Sequence, residues 1–299
     1  MQWRSRAVVI LLGFVLCTVL VWSWLLPSGG SESPLSESPP EISTPPFPEL
    51  QAHPLPPSLE AWDVTSAGDY FGQVEPTLLG YLVWTEFPVR VWIDRSSESA
   101  PTSAGERFGQ WRASVLAAVR EWSVYLPLTE VEMRDDADIA IARRRPPLAI
   151  VRDRITGLTE FGAARTAQTR FEFYARSHPD GSESLLQRMT VEIGPEQSAA
   201  RTLATARHEL GHALGIWGHS PDPGDALYAA HVPESPKISA RDINTLKRIY
   251  QQPTRLGWLL LTEQTGNRGN DSDDDRSLDG QHARPYIWSQ RDRVSRQRG

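Results

Sequence analysis

Four side chains in the run HELGHALGIWGH are of the types that hold a metal ion and move a proton: His208, Glu209, His212 and His219. His208 and His212 are four apart, so on a helix both imidazoles share one face and can grip one cation. Glu209 follows His208 directly and can reach a water bound to that cation. Gly215 stands where a left-handed residue would end the helix and turn the chain. His219 lies beyond that turn and can return to the same ion. Three neutral nitrogens with an open fourth position suit catalytic zinc, Zn2+, rather than a closed structural site. Zinc lowers the pKa of a bound water towards about 7, and Glu209 would take that proton and pass it to the leaving amine of a peptide bond. Such hydrolysis needs no covalent nucleophile, and the single cysteine, Cys17, lies far from this run.

A bare H-E-x-x-H pentad arises roughly once in 100 chains of this composition, and the added glycine and histidine bring that to about one in 10⁴. An ordinary amphipathic helix with surface histidines is therefore the weaker reading. A structural metal lacks an evident fourth protein ligand. Glu234 is the alternative third ligand, as in H-E-x-x-H proteases with a distal glutamate, and His231 reads as a surface residue. If Glu234→Ala abolishes zinc binding or activity and His219→Ala does not, the ligand set named here is wrong.

These residues need a scaffold. A helix over about 199–214 would carry the motif, with Leu203, Ala206, Leu210 and Leu214 on its apolar face. Val89, Val91 and Ile93 alternate with polar or aromatic residues, which is strand periodicity. Phe108, Trp111, Val115, Val119 and Trp122 recur at helical spacing, with Pro127 beyond them. Short strands are expected around Ile139 and Ile141, Phe171 and Phe173, and Val191 and Ile193. A last helix over about 240–250 has Ser239 and Asp242 placed to cap it. The order is that of an α+β domain.

The run HELGHALGIWGHS resembles the zinc signature of the metzincin peptidases, and HELGHALG most resembles the matrixin branch of bacterial type. The resemblance spans roughly residues 80–252, with its specific residues within 208–228. It implies a twisted mixed sheet over the active-site helix and a small C-terminal subdomain after Gly215. It implies His208, His212 and His219 as zinc ligands, Glu209 as catalytic base, and a protein or peptide substrate lying along an edge strand, expected at 164–176. The common pattern places the third histidine three residues after the glycine. Here that position is Gly218 and His219 comes one later, so Gly218 is expected to lend backbone freedom to the turn. The family's Met-turn corresponds to Asp225-Ala226-Leu227-Tyr228, with Leu227 in the methionine position, a swap of similar volume. Tyr228 would line the pocket for the side chain after the cleaved bond, or else serve as a buried structural tyrosine. No cysteine-switch motif is present. The rival from another class is an anchored zinc-binding protein without turnover, which the intact Glu209 disfavours.

The remaining chain sets the location. Residues 7–26 form an uncharged apolar run of the roughly 20 residues that a membrane helix needs. Arg4 and Arg6 precede it and no Lys or Arg follows until Arg90, so residues 1–6 are expected in the cytoplasm and the rest outside. A cleaved signal peptide is the alternative, and it also places the domain outside the cytoplasm. Residues 27–58, rich in Pro, Ser and Glu, are expected to form a disordered stalk, 59–260 the peptidase domain and 261–299 a polar tail. The acidic run at 270–275 lacks the glycine and distal glutamate of an EF-hand loop, so no calcium site is assigned. Arg143, Arg144 and Arg145 read as a solvated rim. A formal net charge of −6 argues against nucleic acid as a partner.

Overall fold

A computed structural model describes residues 47–95, 102–148, 150–152, 159–161, 165–230, 232 and 236–260. The expected membrane span at 7–26, the first part of the stalk and the tail after 260 lie outside these residues, as do His231 and Glu234. Among the described residues no helix is long and apolar enough to cross a membrane.

The elements in chain order are α1 (Pro57–Glu60), β1 (Val89–Ile93), α2 (Ser103–Trp122), β2 (Leu128–Val131), β3 (Ile139–Ala142), β4 (Ile150–Arg152), β5 (Thr159–Phe161), β6 (Ala167–Ser177), β7 (Glu183–Ile193), α3 (Ala199–Ala213) and α4 (Ala240–Tyr250). Five strands make one mixed sheet in the order β2-β1-β3-β7-β6. Its first three pairings are parallel, while β6 runs antiparallel to β7 from Ala167 opposite Ile193 to Ser177 opposite Glu183. The segment expected at an edge is therefore an edge strand. β4 and β5 form a separate antiparallel pair.

Local sequence explains these elements. In β1 the alternating residues Val89, Val91 and Ile93 are fully buried, while Arg90 is exposed. The Thr102 side chain caps α2 by accepting from the Gly105 amide. The buried stripe of α2 is the expected one, Phe108, Trp111, Val115, Val119 and Trp122. β7 is central and buried along most of its length, whereas β6 is mostly half-buried, as befits an edge. α2 lies along β1 and β2, α3 along β6 and β7, and the two helices pack on each other. Trp122 Nε1 donates to the Arg207 carbonyl across that contact, and the Arg207 guanidinium pairs with Glu121.

One expectation needs correction. The stalk does not extend to residue 58. Gln51 exchanges both backbone hydrogen bonds with Thr254, at 3.1 and 2.9 Å, and the His53 ring bonds the Leu256 carbonyl and stacks on Trp258. Leu59 is fully buried, and Tyr70 and Val74 join the core before Gly80. Proline-rich chain cannot build its own core, yet its extended form leaves backbone groups free to pair with another segment. The folded unit thus begins by residue 47 rather than 59. Arg144 and Arg145 are exposed, as a solvated rim would be, but that rim is ion-paired. Arg144 and Arg170 both pair with Glu192, which is buried in β7, and Arg145 pairs with Glu196.

Candidate metal centre and substrate cleft

α3 begins where the Ser198 side chain accepts from the Arg201 amide and ends in a paired turn. Gly215 N–H donates to the His212 carbonyl and Ile216 N–H to the Gly211 carbonyl, each at 3.0 Å. This is the Schellman arrangement, which needs a left-handed residue at Gly215, whose φ is +122°. The next two carbonyls are also satisfied. Trp84 Nε1 donates to Ala213 and the Tyr250 hydroxyl to Leu214, both at 3.0 Å. The end of the motif helix is therefore held by chain from both sides of it in sequence.

The extra residue before His219 is taken up immediately after this turn. Trp217 N–H donates to the Gly215 carbonyl at 2.8 Å, closing a tighter loop over Ile216. Gly218 was expected to supply backbone freedom, but its φ is not positive. Its role is steric, because a Cβ there would stand 2.1 Å from the Gln73 carbonyl oxygen. The chain at 73–75 passes directly over this turn, and Glu75 N–H bonds the Trp217 carbonyl.

The three histidines converge. Their ligating nitrogens all lie within 4.8 Å of one another. His208 Nδ1 is 3.0 Å from the Ala226 carbonyl and His212 Nδ1 is 2.7 Å from the Ile216 carbonyl. A carbonyl only accepts, so each Nδ1 carries the proton and each Nε2 presents a lone pair. Those two Nε2 atoms are 3.1 Å apart with no proton between them. Two lone pairs at that distance repel unless a cation sits between them. Tetrahedral zinc with bonds of about 2.0–2.1 Å would separate its nitrogens by about 3.3 Å, so the arrangement fits the ion. Burial, and for each the neighbouring imidazole, pushes His208 and His212 down to about 4, and burial also lowers His219. All three are thus neutral and ready to ligate near pH 7.

Glu209 is buried and lies against β6. The Thr169 hydroxyl stands 2.6 Å from Glu209 Oε2 and 3.0 Å from the Glu209 carbonyl. Burial pushes the Glu209 carboxyl above its ordinary range, and the Thr169 hydrogen bond pulls it back. Thr169 escaped sequence reasoning, since only the β6–β7 register reveals that it faces the helix.

Leu227 is fully buried beneath the motif helix. A Cβ on Gly211 would meet its side chain at 2.5 Å, so the glycine lets the leucine sit directly against the helix backbone. Ser220 N–H donates to the Leu227 carbonyl, and Ser220 bridges to Tyr228. Two buried carboxylates fasten this loop to α4. Asp225 accepts from Ser220, Ser239 and Arg241, while Asp242 accepts from the Tyr70 hydroxyl, the Ala226 amide and the Ser239 amide. The expected cap at Ser239 and Asp242 is a full capping box. Tyr228 is half-buried and lines an open cleft of about 330 Å3 together with His208, Glu209, Thr205, Arg201 and Arg165.

A family model described as Matrixin matches residues 102–251, half of the chain, from the cap of α2 to the residue after α4. No curated protein matches the chain.

Proposed function

The chain belongs to the matrixin family of zinc metallopeptidases, and from that premise we propose that His208, His212 and His219 hold its zinc and that Glu209 is its general base. The convergence of three imidazole nitrogens beside a buried carboxylate carries this reading. When bound, zinc polarises the scissile carbonyl and acidifies a water. The chain's own residues do the rest. The Ala226 and Ile216 carbonyls fix both helix imidazoles with Nε2 towards the ion. Thr169 holds Glu209 so that its carboxylate faces the attacking water. Burial raises the proton affinity of Glu209, which suits a group that accepts a proton and then delivers it to the leaving amine. β6 offers an edge beside the site along which an extended peptide can pair. Tyr228 lines the cleft that receives the side chain on the leaving-amine side.

Residues 7–26 serve, in this proposal, as an uncleaved anchor with the peptidase outside the cytoplasm, supported by the apolar run and its flanking arginines. Membrane fractionation with protease protection tests it; a mature chain starting after residue 26 would show cleavage instead.

The ligand set is tested by measuring zinc per chain and peptide-library cleavage for wild type, His219→Ala and Glu234→Ala. Loss in His219→Ala alone supports the set. Loss in Glu234→Ala alone replaces His219 by Glu234. Zinc-loaded wild type that cleaves nothing would favour an anchored binding protein.

A further inference from the structure

The cleft beside Glu209 contains two charges that the hydrolysis described above does not use. Arg165, just before β6, and Arg201, in the first turn of α3, both line it. Arg201 is seven residues before His208, two helical turns, so the two share a helix face. Several other arginines meet a carboxylate: Arg144 and Arg170 share Glu192, Arg176 pairs with Glu86, Arg207 with Glu121 and Arg241 with Asp225. Arg165 and Arg201 form no ion pair with a described residue, and Glu209 is the one acid among the described residues lining the cleft. In a chain of net charge −6, composition alone does not place two cations without an ion-pair partner among the described residues on one cavity. Arg165 is exposed, while Arg201 is partly buried, so the Arg201 charge is partly desolvated and an anion in the cleft would relieve that cost.

The position of the cleft says which part of a substrate enters it. Glu209 lines the cleft and, on the reading above, gives its proton to the leaving amine. The residue carrying that amine is therefore the one placed here. We propose that this cleft binds a substrate carboxylate on the leaving-amine side of the cleaved bond, through the guanidinium groups of Arg165 and Arg201. The proposal rests on the peptidase reading and deepens it. Two sources offer that chemistry: an acidic side chain on the residue after the bond, or the terminal carboxylate of a peptide ending close behind it. Seven helical residues span about 10 Å, so Arg201 meets a long side chain more readily than a short one. Glutamate should accordingly be preferred over aspartate.

The test uses the zinc-loaded full-length chain and peptides that differ only in the residue after the cleaved bond, Glu, Gln, Leu or Lys. Each is made with a free and with an amidated C-terminus. A bound carboxylate should raise kcat/KM for Glu over its neutral isostere Gln by about 10- to 100-fold. Arg201→Gln should bring that ratio towards one with zinc per chain unchanged, and Arg201→Glu should shift preference to Lys. A preference held by amidated peptides identifies the side chain as the ligand. A preference confined to free C-termini, independent of the side chain, identifies the terminal carboxylate. Equal rates for Glu and Gln in both series would overturn the proposal and leave the peptidase standing. Cleavage of no peptide at all would overturn the peptidase reading and this proposal with it.

Discussion

Replacing Thr169 by Val removes one hydroxyl and almost no volume, which isolates what that hydroxyl does. Its oxygen stands 2.6 Å from Glu209 Oε2 and 3.0 Å from the Glu209 carbonyl. A hydroxyl has a single proton, and the shorter, charged acceptor takes it. A hydrogen bond to a charged group contributes about 1.5–3 kcal/mol, which corresponds to a loss of about 10- to 150-fold if it acts in the transition state. The loss should appear in kcat with KM little changed, because the β6 backbone is untouched. Thr169→Ser should restore most of it. The pH profile should move as well. Donation from Thr169 favours ionised Glu209, so without it the acid limb of kcat/KM shifts to higher pH. Steady-state assays of wild type, Thr169→Val and Thr169→Ser at equal zinc content decide the matter. A Val variant with wild-type kcat, or a Ser variant as impaired as Val, would refute the positioning role.

Other expectations follow from the same contacts. Gly218→Ala would drive a Cβ to 2.1 Å from the Gln73 carbonyl, backbone against backbone, so thermal melting should show a loss of about 1–3 kcal/mol and weaker zinc retention. Leu227→Met should cost less than about 1.5 kcal/mol, whereas Leu227→Ala should cost about 2–5 kcal/mol by denaturant titration, because Leu227 is fully buried against Gly211. His208 and His212 titrate at about 4 when folded, below the ordinary imidazole value of about 6.5. Their folded pKa values are depressed, so their stabilising contribution is complete above about 6.5 and is lost as pH falls towards 4. The metal-free protein should therefore lose melting temperature across that window. Zinc occupancy, followed by metal analysis after dialysis, should hold to about pH 5 and fall near 4.

Much of this was legible in the sequence, for identifiable physical reasons. Helical periodicity located α2 and α3, because each buries one stripe, and the cap at Ser239 and Asp242 marked the start of α4. Spacing alone brought His208 and His212 to one face. β2 was missed because its LTEV run is half-buried throughout and shows no alternation. The packing of residues 47–58 was missed because composition reports what a segment can bury by itself, not what another segment offers it. Thr169, Asp225 and Asp242 were invisible as a working set. Their partners lie on other elements, and a polar residue that fastens a loop has the same letter as one facing solvent. Gly218 drew attention for the right position and the wrong reason, since a close approach by residue 73 leaves no mark near residue 218.

The most direct test of a single three-histidine zinc site with Glu209 as base is a zinc titration of the metal-free full-length chain read by peptide cleavage. Activity should rise linearly and stop at one zinc per chain. Glu209→Ala should bind the same single zinc and show no activity at any point in the titration. Activity that needs a second equivalent, or a Glu209→Ala protein that cleaves at the wild-type rate, would contradict the account.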